Sequence, residues 1–259
     1  MYYSLAAFLG AIVGSFLNVC IFRIPNGESI VFPASHCPRC KRLIAPIDNI
    51  PVISFLFLKG HCRHCKTKIS WQYPVVELLT AGFFILFYHH FGVTIKGVWY
   101  LVFSLALLVE TFIDLRHQII PDTITLPGIV MGLALSALFP ALQGETLPLM
   151  GLFGSFVGAL AGGGFLFATG VLAEWILKKE ALGGGDIKLL AMIGATLGWQ
   201  GVVWTIFVSS LMGSAVGLYL RMRTGQERIP FGPYLAAAAL FYIFFGNHFI
   251  LWYVQSMGV

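Results

Sequence analysis

The sequence alternates between long apolar stretches and short polar connections. Eight apolar stretches stand out, at about 2–22, 74–92, 96–113, 122–140, 149–177, 187–199, 200–220 and 231–254. A helix that crosses a bilayer needs about 20 apolar residues, and the stretch at 187–199 is short enough to be a partial span. The pattern predicts an all-α polytopic membrane protein with about eight transmembrane helices.

The composition supports this prediction. Of the 259 residues, 58% are hydrophobic and 10% are charged, whereas ordinary soluble domains carry about 25% charged residues. The first apolar stretch contains no charged residue before Arg23, so it lacks the basic start of a signal peptide. We expect residues 1–22 to be retained as the first transmembrane helix.

The basic residues predict the orientation in the membrane. If the N-terminus lies outside, the cytoplasmic segments are 23–73, 114–121, 178–188 and 221–230, and they hold 15 of the 16 Lys and Arg residues. Only Lys96 lies on the other side. Because cytoplasmic loops are enriched in basic residues, we predict this orientation. The net charge of +5 then indicates contact with anionic lipid, and we expect no nucleic-acid partner.

The one substantial polar insert, residues 23–73, carries two cysteine pairs. Cys37-x-x-Cys40 and Cys62-x-x-Cys65 are separated by 21 residues, which is close to the spacing of a four-cysteine zinc site. A cytosolic location disfavours stable disulfides. We therefore predict a small cytoplasmic zinc-binding insert between helices 1 and 2, in which zinc is structural because so short an insert needs a metal to fold.

Two redox-active CxxC pairs are the alternative, although neither pair lies on a strand-to-helix pattern. His36, His61 and His64 lie beside the cysteines and offer substitute ligands, but four thiolates already complete the zinc coordination. Cys20, in the first apolar stretch, is most simply a buried packing residue.

Carboxylates in or near a bilayer are costly, and by default they indicate a functional site. Those associated with the apolar stretches are Glu77, Glu110, Asp114, Asp122, Glu174 and Asp186. In the predicted topology, Asp114 lies at the cytoplasmic end of the third span and Asp186 at the cytoplasmic start of the sixth. Both therefore reach the same face of the membrane.

The other carboxylates have simpler interpretations. Asp122 follows Pro121 and precedes an apolar helix, so we interpret it as a helix cap. Glu110 lies one turn before Asp114 on the same helix face, and we expect it to pack against a polar partner. Two alternatives stay open, namely that it raises the pKa of Asp114 and that it is itself the acid. For Glu77 and Glu174 we favour a structural ion pair or a substrate contact.

Three glycines, Gly183, Gly184 and Gly185, directly precede Asp186. They give the backbone a freedom that other residues lack, which would bring Asp186 towards Asp114 and let an extended peptide substrate bind closely. Two carboxylates that share one proton form the catalytic machinery of an aspartic protease. The alternative is a mobile loop whose aspartate caps a helix, and the spacing alone does not decide between the two.

Several segments together resemble a known family. They are "GSFLNVCIFRIP" at 14–25, the insert with its two CxxC pairs, "NIPVISFLFLKGHCRHCKTKISWQYPVVELLT" at 49–80, "FIDLRHQIIPDTITLP" at 112–127 and "GGGDIKLLAMIGATLG" at 183–198. In this order they resemble the type IV prepilin peptidases, bacterial membrane aspartic proteases of the GxGD class.

The resemblance implies that Asp114 and Asp186 are catalytic, that 74–259 is the peptidase domain and that 23–73 is associated with methyl transfer. Family members act at the bacterial inner membrane. They cut a basic leader from type IV prepilins or type II secretion pseudopilins after a glycine, on the cytoplasmic side, and many methylate the new N-terminus with S-adenosylmethionine. A carboxylate-based proton or cation transporter and a zinc-anchored, non-enzymatic secretion scaffold are the competing hypotheses.

Overall fold

The structure is a computed structural model that describes residues 1–178, 183–225 and 229–256. Lys179 and Arg228, two of the basic residues counted above, lie outside the described residues. Within these ranges the chain is helical without strands, and the α-helices are α1 (Tyr2–Arg23), α2 (Ile53–Phe57), α3 (Gln72–Phe91), α4 (Ile95–His117), α5 (Asp122–Leu138), α6 (Pro148–Leu177), α7 (Gly184–Thr224) and α8 (Gly232–Ser256).

The helices account for all eight predicted apolar stretches. Among the described residues, five helices are long and apolar enough to cross a membrane, namely α1, α3, α4, α6 and α7. Helix α5 and the Gly232–Gly246 part of α8 are shorter apolar helices. The all-helical class and the presence of candidate membrane spans are therefore confirmed, whereas the number of eight crossings stays a prediction.

Helix α7 contains a break that accounts for two of those stretches. Gly198 has φ 73° and ψ 179°, so the helical backbone is interrupted there. The carbonyl groups before a break lose their helical partners, and Gln143 supplies replacements by donating to the carbonyl oxygens of Ala195 and Thr196 at 3.3 Å each. The Ser155 hydroxyl also donates to Ala195, at 2.6 Å. The predicted boundary between 187–199 and 200–220 lies next to this break.

The chain divides into two compact units, Met1–Val109 and Glu110–Val259. In the first unit, α1 packs closely on α3 through two glycines. A Cβ atom at Gly10 would lie 2.7 Å from the Cα of Ala81, and one at Gly14 would lie 2.7 Å from the Cα of Glu77. Small residues permit this approach of two backbones. It buries the polar side chains that α1 and α3 carry at the ends that adjoin the cysteine-rich insert.

In the second unit, α6 and α7 are in contact through their backbones. Gly158 of α6 faces the carbonyl oxygen of Gly194, and Gly162 faces that of Leu190, so closely that neither position has room for a Cβ atom. The glycine-rich sequence of α6 therefore has a packing function, since it lets α7 lie directly against α6.

Candidate active site and metal centre

Asp114 lies on the last turns of α4 and is 5% exposed. The backbone N–H of Gly232, the first residue of α8, donates to its Oδ2 atom at 3.0 Å. First-turn N–H groups have no partner within their own helix, so a carboxylate is a natural acceptor. A Cβ atom at Gly232 would lie 2.7 Å from the same oxygen. The absence of a side chain at Gly232 therefore lets α8 hold Asp114 in place.

Asp186 lies in the first turn of α7 and is half-buried. Gly183 is the N-cap residue, and the backbone N–H of Asp186 donates to the Gly183 carbonyl oxygen at 3.1 Å. Asp186 is thus part of the helix and is neither its cap nor a loop residue. A carboxylate in the first turn is favoured by the helix dipole.

Ile120 connects the segments that carry the two aspartates. A Cβ atom at Gly185 would lie 2.8 Å from the Cβ of Ile120, and one at Gly232 would lie 3.4 Å from the Cδ1 of Ile120. Ile120 therefore packs between the start of α7 and the start of α8. Sequence analysis missed it because an isoleucine next to a proline carries no chemical signal.

The three glycines before Asp186 are not equivalent. Gly183 and Gly184 are exposed, and a Cβ atom at Gly184 would meet no other atom within 4 Å. A Cβ atom at Gly183 would lie 3.3 Å from Oδ2 of Asp186, and the contact at Gly185 is closer still. The predicted role of Gly183, Gly184 and Gly185 in substrate binding stays a prediction, and the open position at Gly184 leaves space for a bound chain.

We expect Gly185→Ala to lower the rate of peptide cleavage by about 10- to 100-fold, because a displacement of Asp186 by about 1 Å is enough for such a loss. Gly164→Ala on α6 is the matched control, since a Cβ atom there would meet no other atom within 4 Å, and its rate should stay near that of the unchanged protein. The measurement is single-turnover cleavage of a peptide substrate. Equal losses in both variants would contradict the contact with Ile120 as the cause.

Asp122 has a different role from the predicted one. Pro121 is the N-cap of α5 and Asp122 is its first residue, so the interpretation of Asp122 as a cap was wrong. Its carboxylate instead accepts two hydrogen bonds of 2.7 Å from Nζ of Lys188 on α7. A contact between residues so far apart in the sequence is invisible to local pattern analysis.

Glu110 differs from expectation, and for Glu174 only the substrate contact stays a prediction. Glu110 is 1% exposed, and within the described residues neither of its carboxyl oxygens has a hydrogen-bond partner. The predicted packing against a polar partner was therefore wrong. Glu174 is exposed near the end of α6 and forms no ion pair with any residue in the described ranges.

The four predicted metal ligands form a cluster. The Sγ atoms of Cys37, Cys40, Cys62 and Cys65 all lie within 4.8 Å of one another, and those of Cys37 and Cys65 are 3.8 Å apart. Tetrahedral zinc with Zn–S bonds of about 2.3 Å separates its sulfur ligands by roughly 3.8 Å. All four thiols are free of disulfides, so the donor set and its spacing fit a structural zinc ion.

The cluster is built from two similar turns, one around each cysteine pair. The segments "HCPRCK" at 36–41 and "HCRHCK" at 61–66 each end on a lysine with positive φ, 58° at Lys41 and 55° at Lys66. In each turn the first cysteine donates its N–H across the turn, from Cys37 to the Arg42 carbonyl and from Cys62 to the Thr67 carbonyl, both at 2.9 Å. The repeat presents two thiols from each side.

Backbone N–H groups of the second turn favour the metal-binding form of one thiol. Those of Cys65 and His64 donate to Cys62 and lower the pKa of its thiol to about 7, and the thiolate is the form that binds metal. None of the three neighbouring histidines belongs to the cluster. His36 and His61 instead interact through Nδ1 with the backbone carbonyls of Ala34 and Lys59.

Comparison with known proteins agrees with both parts of this site. Residues 8–91 match the model of the bacterial peptidase A24 N-terminal domain, and residues 101–218 match that of the type IV leader peptidase family. The chain belongs to the type IV leader peptidase family. The first match contains the cysteine cluster, and the second contains Asp114 and Asp186, so the predicted resemblance is confirmed.

Three similar members of this leader peptidase family illustrate the extent of the match. Each is named prepilin leader peptidase/N-methyltransferase. The protein from Pseudomonas aeruginosa is 37% identical over 96% of this chain and 92% of its own length. That from Neisseria gonorrhoeae is 37% identical over 90% and 87%, and that from Myxococcus xanthus is 41% identical over 84% and 63%. No solved structure matches the chain significantly.

The leader peptidase fold also buries a carboxylate in its first unit. Glu77 of α3 is 6% exposed and accepts hydrogen bonds from the backbone N–H of Val52, at 2.7 Å, and from the Ser15 hydroxyl. Val52 has φ 60°, which is a strained conformation for a β-branched residue. Glu77 thus connects the insert to the membrane helices by a hydrogen bond, where an ion pair was one expectation; the other, a substrate contact, stays a prediction.

A cavity is lined in part by Ser15, one of the hydrogen-bond partners of Glu77. It has a volume of about 250 Å³, and Ser15, Ser35 and Asn49 are its polar lining residues. Ser15 belongs to α1 and the other two to the insert, so the cavity opens where the insert meets the first membrane helix. The neighbouring Asp48 is held by Arg63, which donates three hydrogen bonds of 2.5–3.0 Å and keeps the pKa of Asp48 below its ordinary value.

Proposed function

We propose that this chain is an aspartic endopeptidase that cuts the basic leader from type IV prepilins or type II secretion pseudopilins after a glycine, and then methylates the new N-terminus. The observation that carries this proposal is the arrangement of Asp114 and Asp186 around Ile120, on helices that the leader peptidase family model covers. The names of the similar proteins, prepilin leader peptidase/N-methyltransferase, support both activities.

In the proposed cleavage step, Asp114 acts as the base and Asp186 as the acid. The hydrogen bond that Gly232 donates to Asp114 suits a carboxylate acceptor. Asp114 takes a proton from water, whose oxygen attacks the glycine carbonyl carbon while Asp186 protonates the carbonyl oxygen. The tetrahedral intermediate then breaks its C–N bond, and the leaving nitrogen takes a proton from the aspartate pair. The leader leaves as a carboxylic acid, and no acyl-enzyme forms.

We place this reaction at the cytoplasmic surface of the bacterial inner membrane. The support is the charge distribution, with 15 of 16 basic residues in the segments assigned to the cytoplasm. In this topology about eight helices cross the bilayer, residues 1–22 form the first of them, 23–73 form the cytoplasmic insert and 74–259 form the peptidase domain. The apolar helix of the substrate stays in the bilayer, while its leader reaches Asp114 and Asp186.

For the methyl transfer we propose that S-adenosylmethionine binds at the cavity beside Glu77. This cofactor carries a sulfonium and an ammonium group, and both are cations. Residues 1–109 contain three carboxylates. Asp48 is paired with Arg63 and Glu28 is exposed. Glu77 is buried and accepts a hydrogen bond from Ser15, which lines the cavity, so we assign Glu77 as the carboxylate for this cofactor. S-adenosylmethionine supplies the methyl group when bound, and Ser15 and Val52 hold the carboxylate that would face its positive charge.

Zinc has a separate, structural role in the proposal. Cys37, Cys40, Cys62 and Cys65 would all be occupied by the metal, which leaves no open coordination position for chemistry. The metal would hold together the two turns of the insert, and with them Ser35 and Asn49 at the cavity.

The test of the proposed function uses purified protein in lipid vesicles and a prepilin with a glycine–phenylalanine junction. Mass spectrometry should show loss of the leader and, only when S-adenosylmethionine is added, the further mass of one methyl group on the mature chain. A substrate with valine in place of the junction glycine is the control and should stay intact. An uncut wild-type substrate would overturn the peptidase assignment, and cleavage without methylation would overturn the second activity alone.

We expect Glu77→Gln to weaken binding of S-adenosylmethionine by about 10-fold or more, since a charged hydrogen-bond partner is lost, while leader cleavage continues. Equilibrium binding of labelled S-adenosylmethionine measures this without any turnover. Glu28→Gln removes an exposed carboxylate of the same unit and is the matched control. Unchanged binding by Glu77→Gln would place the cofactor elsewhere.

A further inference from the structure

The ion pair between Asp122 and Lys188 connects the two halves of the candidate active site. Lys188 follows Asp186 by two residues in α7, and its Nζ atom lies 2.7 Å from each carboxylate oxygen of Asp122. Asp122 begins α5, directly after the short connection that leaves α4 beyond Asp114. A contact with both oxygens at equal distance fixes the position of the ammonium group more firmly than a contact with one.

The pair joins the two segments that carry the aspartates. One segment runs from Asp114 to Asp122 and turns at Gln118 with φ 53°. The other runs from Asp186 to Lys188 and is less than one helical turn. Ile120 packs against Gly185 and Gly232, as described above. The ion pair and the contact at Ile120 therefore both link the start of α7 to the 118–122 connection.

The exposure of the pair argues against a role in stability. The side chains of Lys188 and Asp122 are 39% and 53% exposed, and ion pairs at such positions add little to the stability of a fold. The ion pair is distinguished by its location. Lys188 and Asp186 lie two residues apart in the same helix, so a displacement of Lys188 also displaces Asp186.

We propose that Asp122 and Lys188 are positioning residues, and that their ion pair sets the placement of Asp186 relative to Asp114. This inference rests on the proposed function for its kinetic consequences. Neither residue takes part in the proton transfers. Their contribution is to hold the acid in the geometry that the reaction requires.

The test is a double-mutant cycle on prepilin cleavage. Asp122→Asn and Lys188→Met should each lower kcat by about 10- to 100-fold and leave KM and the melting temperature nearly unchanged. Because the two residues act as one unit, the double variant should be no slower than either single variant. Exchange of the charges, Asp122→Lys with Lys188→Asp, should restore part of the rate, and Lys188→Arg should stay near wild type.

Lys178→Met is the matched control, since it removes an exposed lysine at the end of α6 that belongs to neither of the two segments joined by the ion pair. Losses that multiply in the double variant, or single variants with unchanged kcat, would overturn the inference. A wild-type protein that cuts no prepilin would refute the proposed function instead.

A second measurement does not depend on cleavage. Hydrogen exchange of the backbone amides at 183–188 should become faster in Lys188→Met and stay unchanged in Lys178→Met. The same exchange rate in both variants would overturn the positioning role even if the chain had no peptidase activity. A Lys188→Met variant that fails to fold would also contradict it, because the pair is proposed to add little to stability.

Discussion

Replacement of Asp114 or Asp186 with asparagine is expected to abolish leader cleavage, with a loss on the order of 10²–10⁴-fold or more, the usual contribution of an acid or base catalyst. Asparagine has nearly the shape of aspartate, but it can neither take a proton from water nor deliver one to the carbonyl. Both variants should keep the fold. The measurement is leader release from a prepilin under single-turnover conditions, followed by mass spectrometry.

The design separates catalysis from general damage. Glu145→Gln makes the same kind of change at an exposed position of the second unit and should cut at the wild-type rate. Binding of S-adenosylmethionine to the two aspartate variants should stay intact, because Glu77 and its cavity belong to the first unit. If either variant still cuts the leader at the wild-type rate, that aspartate is not catalytic. A transporter or a scaffold would show this result for both.

Removal of one cysteine of the cluster should cause the largest structural change. Structural zinc contributes apparent binding energies of about 10–16 kcal/mol to small domains, and an insert this short has little apolar core of its own. We expect Cys37→Ser to lose its zinc and to become sensitive to trypsin between 39 and 68, where basic residues are frequent. Metal analysis and limited proteolysis measure the two effects.

Cys20→Ala is the matched control for the loss of a thiol. Cys20 is buried in α1 and lies outside the cluster, so this variant should keep both the metal and the resistance to trypsin. Chelation of zinc from the wild-type protein should reproduce the behaviour of Cys37→Ser. An insert that resists trypsin equally well with and without metal would contradict a structural role for zinc.

The parts of this protein that sequence analysis predicts are those whose signals are local. The apolar stretches predict the helices because a membrane span is defined by its own composition. The spacing of Cys37, Cys40, Cys62 and Cys65 predicts the cluster because each pair forms one tight turn. Asp114 and Asp186 stand out because a charge near a bilayer is costly wherever it occurs.

The remaining features depend on contacts between distant segments. Gly232 donates to Asp114 from 118 positions away, and Lys188 reaches Asp122 across 66. Neither contact can be predicted from the periodic pattern of hydrophobic residues in the sequence. Asp122 has the sequence context of a helix cap and fails as one because Pro121 takes that position. Glu110 was expected to have a polar partner, and packing leaves it without one in the described residues.

The break at Gly198 makes the distance between Asp114 and Asp186 depend on an angle. Residues 184–197 form a rigid arm, with Asp186 about 18 Å from the break at a rise of about 1.5 Å per residue. A tilt of about 5° at Gly198 would therefore move Asp186 by roughly 1.5 Å, which is enough to misalign an acid with its substrate. Gln143 and Ser155 donate hydrogen bonds to the carbonyls beside the break. They thus help to determine the position of the Asp186 carboxylate without contacting it.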